Sequence, residues 1–101
     1  MEFRIIKAPS TGTVDILARR MAAGAGANPT GVDAIGLVQG KMIEMICAAD
    51  IAEKAVGVTV VDVRGSCPQN MILIAIMGDT SSVESAMEEI KYRMEGGEYS
   101  C

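Results

Sequence analysis

The stretch that begins at residue 34 reads AIGLVQGKMIEMICAADIAEKAVGVTVVDV and ends at residue 63. It contains two aliphatic segments that favour strands, and between them lies a run of residues with good helix propensity. Gly57 follows the helical run and is a typical helix stop. The stretch therefore predicts a strand at 34–39, a helix at 42–55 and a second strand at 58–63.

The rest of the chain adds elements of the same kinds on both sides. Residues 3–23 predict a short strand and a helix, and residues 71–77 predict a further strand. Residues 81–84 (SSVE) match a capping box and open a last helix that runs to about Met94. The order β-α-β-α-β-β-α predicts an α+β sandwich in which helices cover a mostly antiparallel sheet.

The helical spacing of the apolar side chains predicts which face of each helix is buried. In chain order, the predicted inward-facing residues are Val14, Leu17, Ala18 and Met21, then Met42, Met45, Ile46, Ala49 and Ala52, and finally Val83, Met87, Ile90 and Met94. The same spacing places the methionines in a core or subunit interface rather than on a metal-binding surface. Glu89 and Arg93 stand in a favourable i,i+4 register.

The composition is typical of a subunit of a larger assembly. The chain has 101 residues, the size of one compact domain, and half of them are hydrophobic. Its mean hydropathy is +0.30. A monomer of this size has too little interior for so much aliphatic surface, and oligomerisation is the usual remedy.

Charge and residue usage exclude several classes of function. The net charge is −4 and no basic run is present, so nucleic-acid binding is not expected. The longest apolar run, residues 71–77, is too short to cross a bilayer, and no signal peptide is visible. With no histidine and no phosphate-binding glycine motif, an enzyme or ligand sensor is the least favoured class. Three cysteines without framework spacing fit a reducing cytoplasm.

From residue 34 onward, short motifs follow one another in a specific order. They are Ile35-Gly36, Lys41, Ala48-Ala49-Asp50, Gly65-Ser66, Gly78-Asp79 and Ser82-Val83-Glu84-Ser85-Ala86. This order resembles the bacterial microcompartment shell domain (BMC domain), and the resemblance covers residues 34–94. In the usual shell domain, a strand and a helix follow this region. Here a strand and helix precede it, at residues 3–23, as in the circularly permuted subclass.

The resemblance implies a single permuted domain over residues 1–101, with 24–33 as the joint and 95–101 as a tail. It implies a structural protein rather than an enzyme, a homohexamer that tiles laterally with other shell proteins around encapsulated enzymes in the cytoplasm. The lateral contact would involve Lys41, although here the order is Gln39-Gly40-Lys41, one residue short of the family pattern. The six-fold opening would be lined by Gly65, Ser66, Cys67, Pro68, Gln69 and Asn70.

Cys67 is the residue that sets this predicted opening apart. Rotational symmetry would copy its thiol around the axis, and a ring of thiols is a site for a soft metal ion. An iron–sulfur cluster, [4Fe–4S], and zinc are the competing ligands. The motif Gly-Ser-Cys-Pro resembles shell proteins of glycyl-radical propanediol microcompartments, and this favours the cluster, held by thiolates of alternate subunits. The alternative is a metal-free, metabolite-conducting opening.

Three residues outside the motif keep simpler interpretations open. Arg64 either offsets the negative charge of a cluster or faces solvent at the strand end. Cys47 is expected to be a small buried hydrophobe in mid-helix. Cys101 is expected to be a free thiol on the tail.

A cluster would serve electron transfer across the shell or cluster storage for an encapsulated enzyme.

Overall fold

The computed structural model describes residues 1–21, 29–65 and 71–95. The elements are β1 (Glu2–Lys7), α1 (Thr11–Arg20), β2 (Ala34–Lys41), α2 (Met42–Glu53), β3 (Val58–Val63), β4 (Met71–Gly78) and α3 (Thr80–Glu95). The predicted order and the predicted α+β class are confirmed. The bounds of β3 are those predicted, while α1 begins three residues before the predicted start at Val14.

The four strands form one antiparallel sheet in the order β1-β2-β4-β3. The two central strands are the most aliphatic, because each has a neighbour on both sides and helices cover its faces. Across the sheet, Val38 lies opposite Phe3 on one side and Ile74 on the other. Since β3 and β4 are adjacent and antiparallel, the last residue of β3 and the first residue of β4 lie at the same end of the sheet.

The main core lies between one face of the sheet and the two helices α2 and α3. Its buried side chains include Val38, Ile74 and Ile76 from the strands, Met45 from α2 and Ile90 from α3. On α3 the predicted inward face is confirmed. Val83, Met87 and Ile90 are buried and Met94 is half-buried.

The predicted inward face of α2 was wrong in part. Met45 and Ala52 are buried as expected, but Met42 and Ile46 are exposed. The helix instead buries Ala48 and Ile51 beside Met45 and Ala52. Because apolar residues occur all around this helix, spacing alone cannot select the buried side.

The other face of the sheet is covered by α1 through a smaller core. Leu17 is the buried residue of this helix, and it packs with Ile35, Val61, Ala75 and other strand residues. Val14 and Met21 are half-buried, whereas Ala18, predicted to face inward, is exposed. The structure thus has three layers, with two helices on one face and one short helix on the other.

The cap of α3 lies earlier than the sequence predicted. Asp79, rather than a residue of the 81–84 capping box, accepts the Ser82 backbone N–H at 2.9 Å, and its carbonyl accepts the Val83 N–H. The carboxylate also accepts the hydroxyls of Ser82 at 2.8 Å and Ser81 at 3.0 Å. These bonds, the Ser82 backbone bond foremost, hold the pKa of Asp79 below its usual value.

We expect Asp79→Ala to lower the melting temperature at neutral pH, because the first turn of α3 loses its acceptor. A carboxyl whose folded pKa is depressed stabilises the fold above the unfolded value, about 3.9, and loses this contribution as the pH falls through the folded pKa. The difference between variant and wild type should therefore narrow at acid pH. A difference that stays constant from neutral pH to pH values below both pKa values would contradict this role.

Two glycines allow β3 and β4 to begin and end in register. Gly57 has φ +84°, and its carbonyl oxygen lies 2.5 Å from where a side chain at Gly78 would begin. The neighbouring atoms are backbone, so they cannot move aside as a side chain does. The end of the β3–β4 pair therefore requires glycine at residue 78.

We expect Gly78→Ala to lower the free energy of unfolding by about 2 kcal/mol, because the strand pair must separate to admit a methyl group. The matched control is Gly12→Ala in α1, where nothing lies within 4 Å of the new methyl group. It should leave stability unchanged or raise it by up to about 1 kcal/mol. Thermal melts at one fixed protein concentration compare the two, and equal melting temperatures would contradict the close approach.

Candidate functional site

The segment that links β3 to β4 carries the predicted site, and the structure describes its base. Arg64 and Gly65 follow the last residue of β3, and both are exposed. Ser66, Cys67, Pro68, Gln69 and Asn70 lie outside the described residues. The loop and its metal therefore stay predictions at these positions.

The base of the loop is joined to the end of α1. Met21 forms an isolated antiparallel bridge with Val63, and the Arg64 backbone N–H donates to the Arg20 carbonyl at 2.7 Å. This contact spans more than forty residues of sequence, and no local pattern signals it. Sequence reasoning therefore missed Arg20 as a neighbour of the loop.

A small cavity lies beside this junction. Arg20, Arg64 and Gly65 line one part of it, and Gln39, Met71 and Leu73 line another. Its volume is about 170 Å³. No acidic side chain is among its lining residues in the part of the chain that the structure describes. The base of the loop therefore presents two arginines to one small space.

Lys41 lies at the junction of β2 and α2, on the opposite strand from Met71. Its backbone N–H donates to Glu44 Oε1 at 3.0 Å, which closes the first turn of α2. Lys41 itself is exposed. Its role in a lateral contact between assemblies stays a prediction.

Cys47 lies in the middle of α2 and differs in one respect from what the sequence predicted. It is half-buried against the main core, as a small apolar side chain would be. Its sulfur also takes part in a disulfide bond, which the sequence did not predict. Cys101, expected to carry a free thiol, lies outside the described residues.

An apolar patch covers the outer side of α2. Met42, Ile43 and Ile46 are 50%, 81% and 65% exposed, and we call these three residues the α2 patch. Ile46 stands four residues after Met42 and three after Ile43, and side chains at both spacings are neighbours on a helix, so the patch is continuous. Adjacent exposed apolar side chains of this size are typical of a surface that another protein covers.

Within residues 1–21, 29–65 and 71–95, no three His, Cys, Asp or Glu residues gather where they could hold a metal ion. No described helix is long and apolar enough to span a membrane. On α3, Glu89 and Arg93 form the predicted i,i+4 pair at 2.6 Å. Their pairing fits a solvated helix face.

Comparison with known proteins gives a consistent result over the whole chain. The BMC domain matches residues 34–100. The ligand-free structure of the GrpU microcompartment shell protein from Clostridiales bacterium 1_7_47FAA is 54% identical, with TM-score 0.75, over 98% of this chain and 96% of that one. The ligand-free GrpU shell protein from Pectobacterium wasabiae is 32% identical, with TM-score 0.70, over 89% and 99%. None of the curated proteins matches.

Proposed function

The chain belongs to the BMC-domain family of microcompartment shell proteins, and from this premise we propose that it forms a homohexamer whose central opening is lined by residues 65–70. It is a structural protein of the shell and not an enzyme. The observation that carries the proposal is the combination of family membership with a cysteine in the β3–β4 loop. In this arrangement the hexamer tiles with other shell proteins around encapsulated enzymes, glycyl-radical enzymes among the candidates.

The surface of the subunit supports assembly. The α2 patch places three large apolar side chains in solvent, and Val56 and Tyr92 are also largely exposed. The energetic cost of this exposure is removed when a neighbouring subunit or hexamer covers it. Because a ring repeats one contact at each of its members, even a modest apolar patch stabilises the whole assembly.

The N-terminal part of the chain supports a circular permutation. The family match begins at residue 34, after β1 and α1. Yet β1 pairs with β2 at the edge of the sheet, and α1 contributes Leu17 to the second core. In this proposal, residues 3–23 supply the strand and helix that the usual shell domain has at its other end, with 24–33 as the joint and 95–101 as the tail.

The donor chemistry of the loop fits an iron–sulfur cluster. Cys67 would supply one thiolate from each subunit, and cysteine thiolates are the usual ligands of such clusters. The cubane core of a [4Fe–4S] cluster has no six-fold axis, so the six thiolates cannot all bind it equally, and only some of them would be ligands at one time. A [4Fe–4S] cluster supplies one-electron chemistry when bound. This chain's own contribution is to fix the spacing of the thiols through the paired ends of β3 and β4.

Two roles follow for a cluster at the opening. It would pass electrons across the shell, so that redox cofactors need not cross, or it would be stored there for an encapsulated enzyme. The second candidate function is a metal-free opening that conducts metabolites, and the small residues Gly65 and Ser66 in the loop favour it.

We expect anaerobic reconstitution with iron and sulfide, after reduction of the disulfide of Cys47, to give a brown protein with about four irons per hexamer. Cys67→Ser should remain colourless, because the ring of thiolates is lost, while the matched control Cys101→Ser should keep its visible absorbance. Iron analysis and absorption spectroscopy read the result. A colourless wild type, or one iron on every chain, would refute the shared cluster and leave the metabolite-conducting opening.

We expect Ile43→Lys and Ile46→Lys to weaken assembly, because each buries a charge in a contact made by apolar side chains. Glu53→Lys, at another exposed position of α2, is the control and should assemble normally. Light scattering after size-exclusion chromatography measures the mass. If both variants assemble at the same protein concentrations as the wild type, the α2 patch lies outside the contacts between subunits.

A further inference from the structure

We propose that Arg20 and Arg64 form a binding site for a small anion, a carboxylate or a phosphate, at the base of the β3–β4 loop. The site belongs to each chain and does not require a cluster. It rests on the proposed function only for its position beside the opening of the assembly.

The first observation is the placement of the two arginines. The bridge between Met21 and Val63 is antiparallel, and Arg20 and Arg64 are the residues next to it on the two segments. The bond from the Arg64 N–H to the Arg20 carbonyl fixes this register. Two positive charges that lie close together repel each other, and an anion bound between them would remove this repulsion.

The second observation is that no described acidic side chain forms an ion pair with Arg20 or Arg64. The side-chain ion pairs among the described residues join Glu2 to Arg4, Lys7 to Glu84, Asp50 to Lys54 and Glu89 to Arg93. Neither Arg20 nor Arg64 takes part in any of them. In a chain of net charge −4, two arginines therefore line one cavity whose lining, among the described residues, includes no acidic side chain.

The third observation is the shape of the site. The cavity of about 170 Å³ holds an anion of a few heavy atoms and is too small for a nucleotide. Gln39 is half-buried in its wall, and its side-chain amide makes no hydrogen bond to any residue that the structure describes. It can donate to an anion oxygen beside the two guanidinium groups, which bind carboxylate and phosphate through paired N–H donors.

The consequence is that the base of the loop would concentrate anions. If six copies surround one opening, their sites form a ring of twelve guanidinium groups around it. Such a ring raises the local concentration of anionic metabolites and lowers that of cations. The site would thus make the opening favour anions over cations. The loop residues Gly65 to Asn70 carry no basic or acidic side chain and would not supply this selectivity.

The test is calorimetric titration of the metal-free protein at low salt with inorganic phosphate and, separately, with propionate. We expect saturable binding of at least one anion, near one per chain. Arg20→Gln and Arg64→Gln should each weaken it by about tenfold or more, because each removes charge-assisted hydrogen bonds. The matched control Arg19→Gln removes the same charge from the adjacent residue, outside the cavity lining, and should leave binding nearly unchanged.

If neither anion binds saturably, the proposal is overturned. It is also overturned if Arg19→Gln weakens anion binding as much as the other two variants do, because that result indicates a diffuse electrostatic field rather than a site. If Arg64→Gln fails to fold, Arg64→Lys keeps the charge without the paired donors and should still weaken binding several-fold. The assembly mass is measured on the same samples. A normal hexamer that binds no anion refutes this site alone, whereas a monomer that binds one refutes the proposed assembly alone.

Discussion

The pairing of β2 with β4 is the contact on which the rest of the structure depends. These strands are the centre of the sheet, and their side chains supply both cores, Val38 and Ile74 to one and Ile35 and Ala75 to the other. A shift of one residue in this register would exchange the two faces. It would turn the side chains that pack against α2 and α3 toward α1, which has little apolar surface to receive them. The register therefore fixes which helices cover which face.

The same pairing determines where the chemistry of the chain is placed. β2 ends, β4 begins and β3 ends at one end of the sheet, so Lys41, Met71 and Arg64 all lie there. The proposed sites are thereby confined to a loop and a helix terminus, where variation in sequence costs the fold least.

Much of the fold followed from the sequence because its signals are local. The aliphatic strands, the glycine stop at residue 57 and the apolar spacing on α3 each reflect interactions between near neighbours. The inward side of α2 did not follow, because a helix that is apolar all around offers no contrast between its sides. The cap at Asp79 competed with a plausible serine signal two residues later. Cys67 and its loop could be placed between two strands from sequence, but the approach of Arg20 could not, because it arises only when two distant segments pair.

The bridge between Met21 and Val63 also has an evolutionary consequence. It ties the N-terminal helix to the strand that leads into the loop, so the two segments cannot diverge independently. An insertion within the last turn of α1 would rotate Arg20 by about 100° about the helix axis and break its partnership with Arg64. Related chains should therefore keep the length of this helix constant while the connection that follows it varies freely, and substitutions at the two arginine positions should be inherited together.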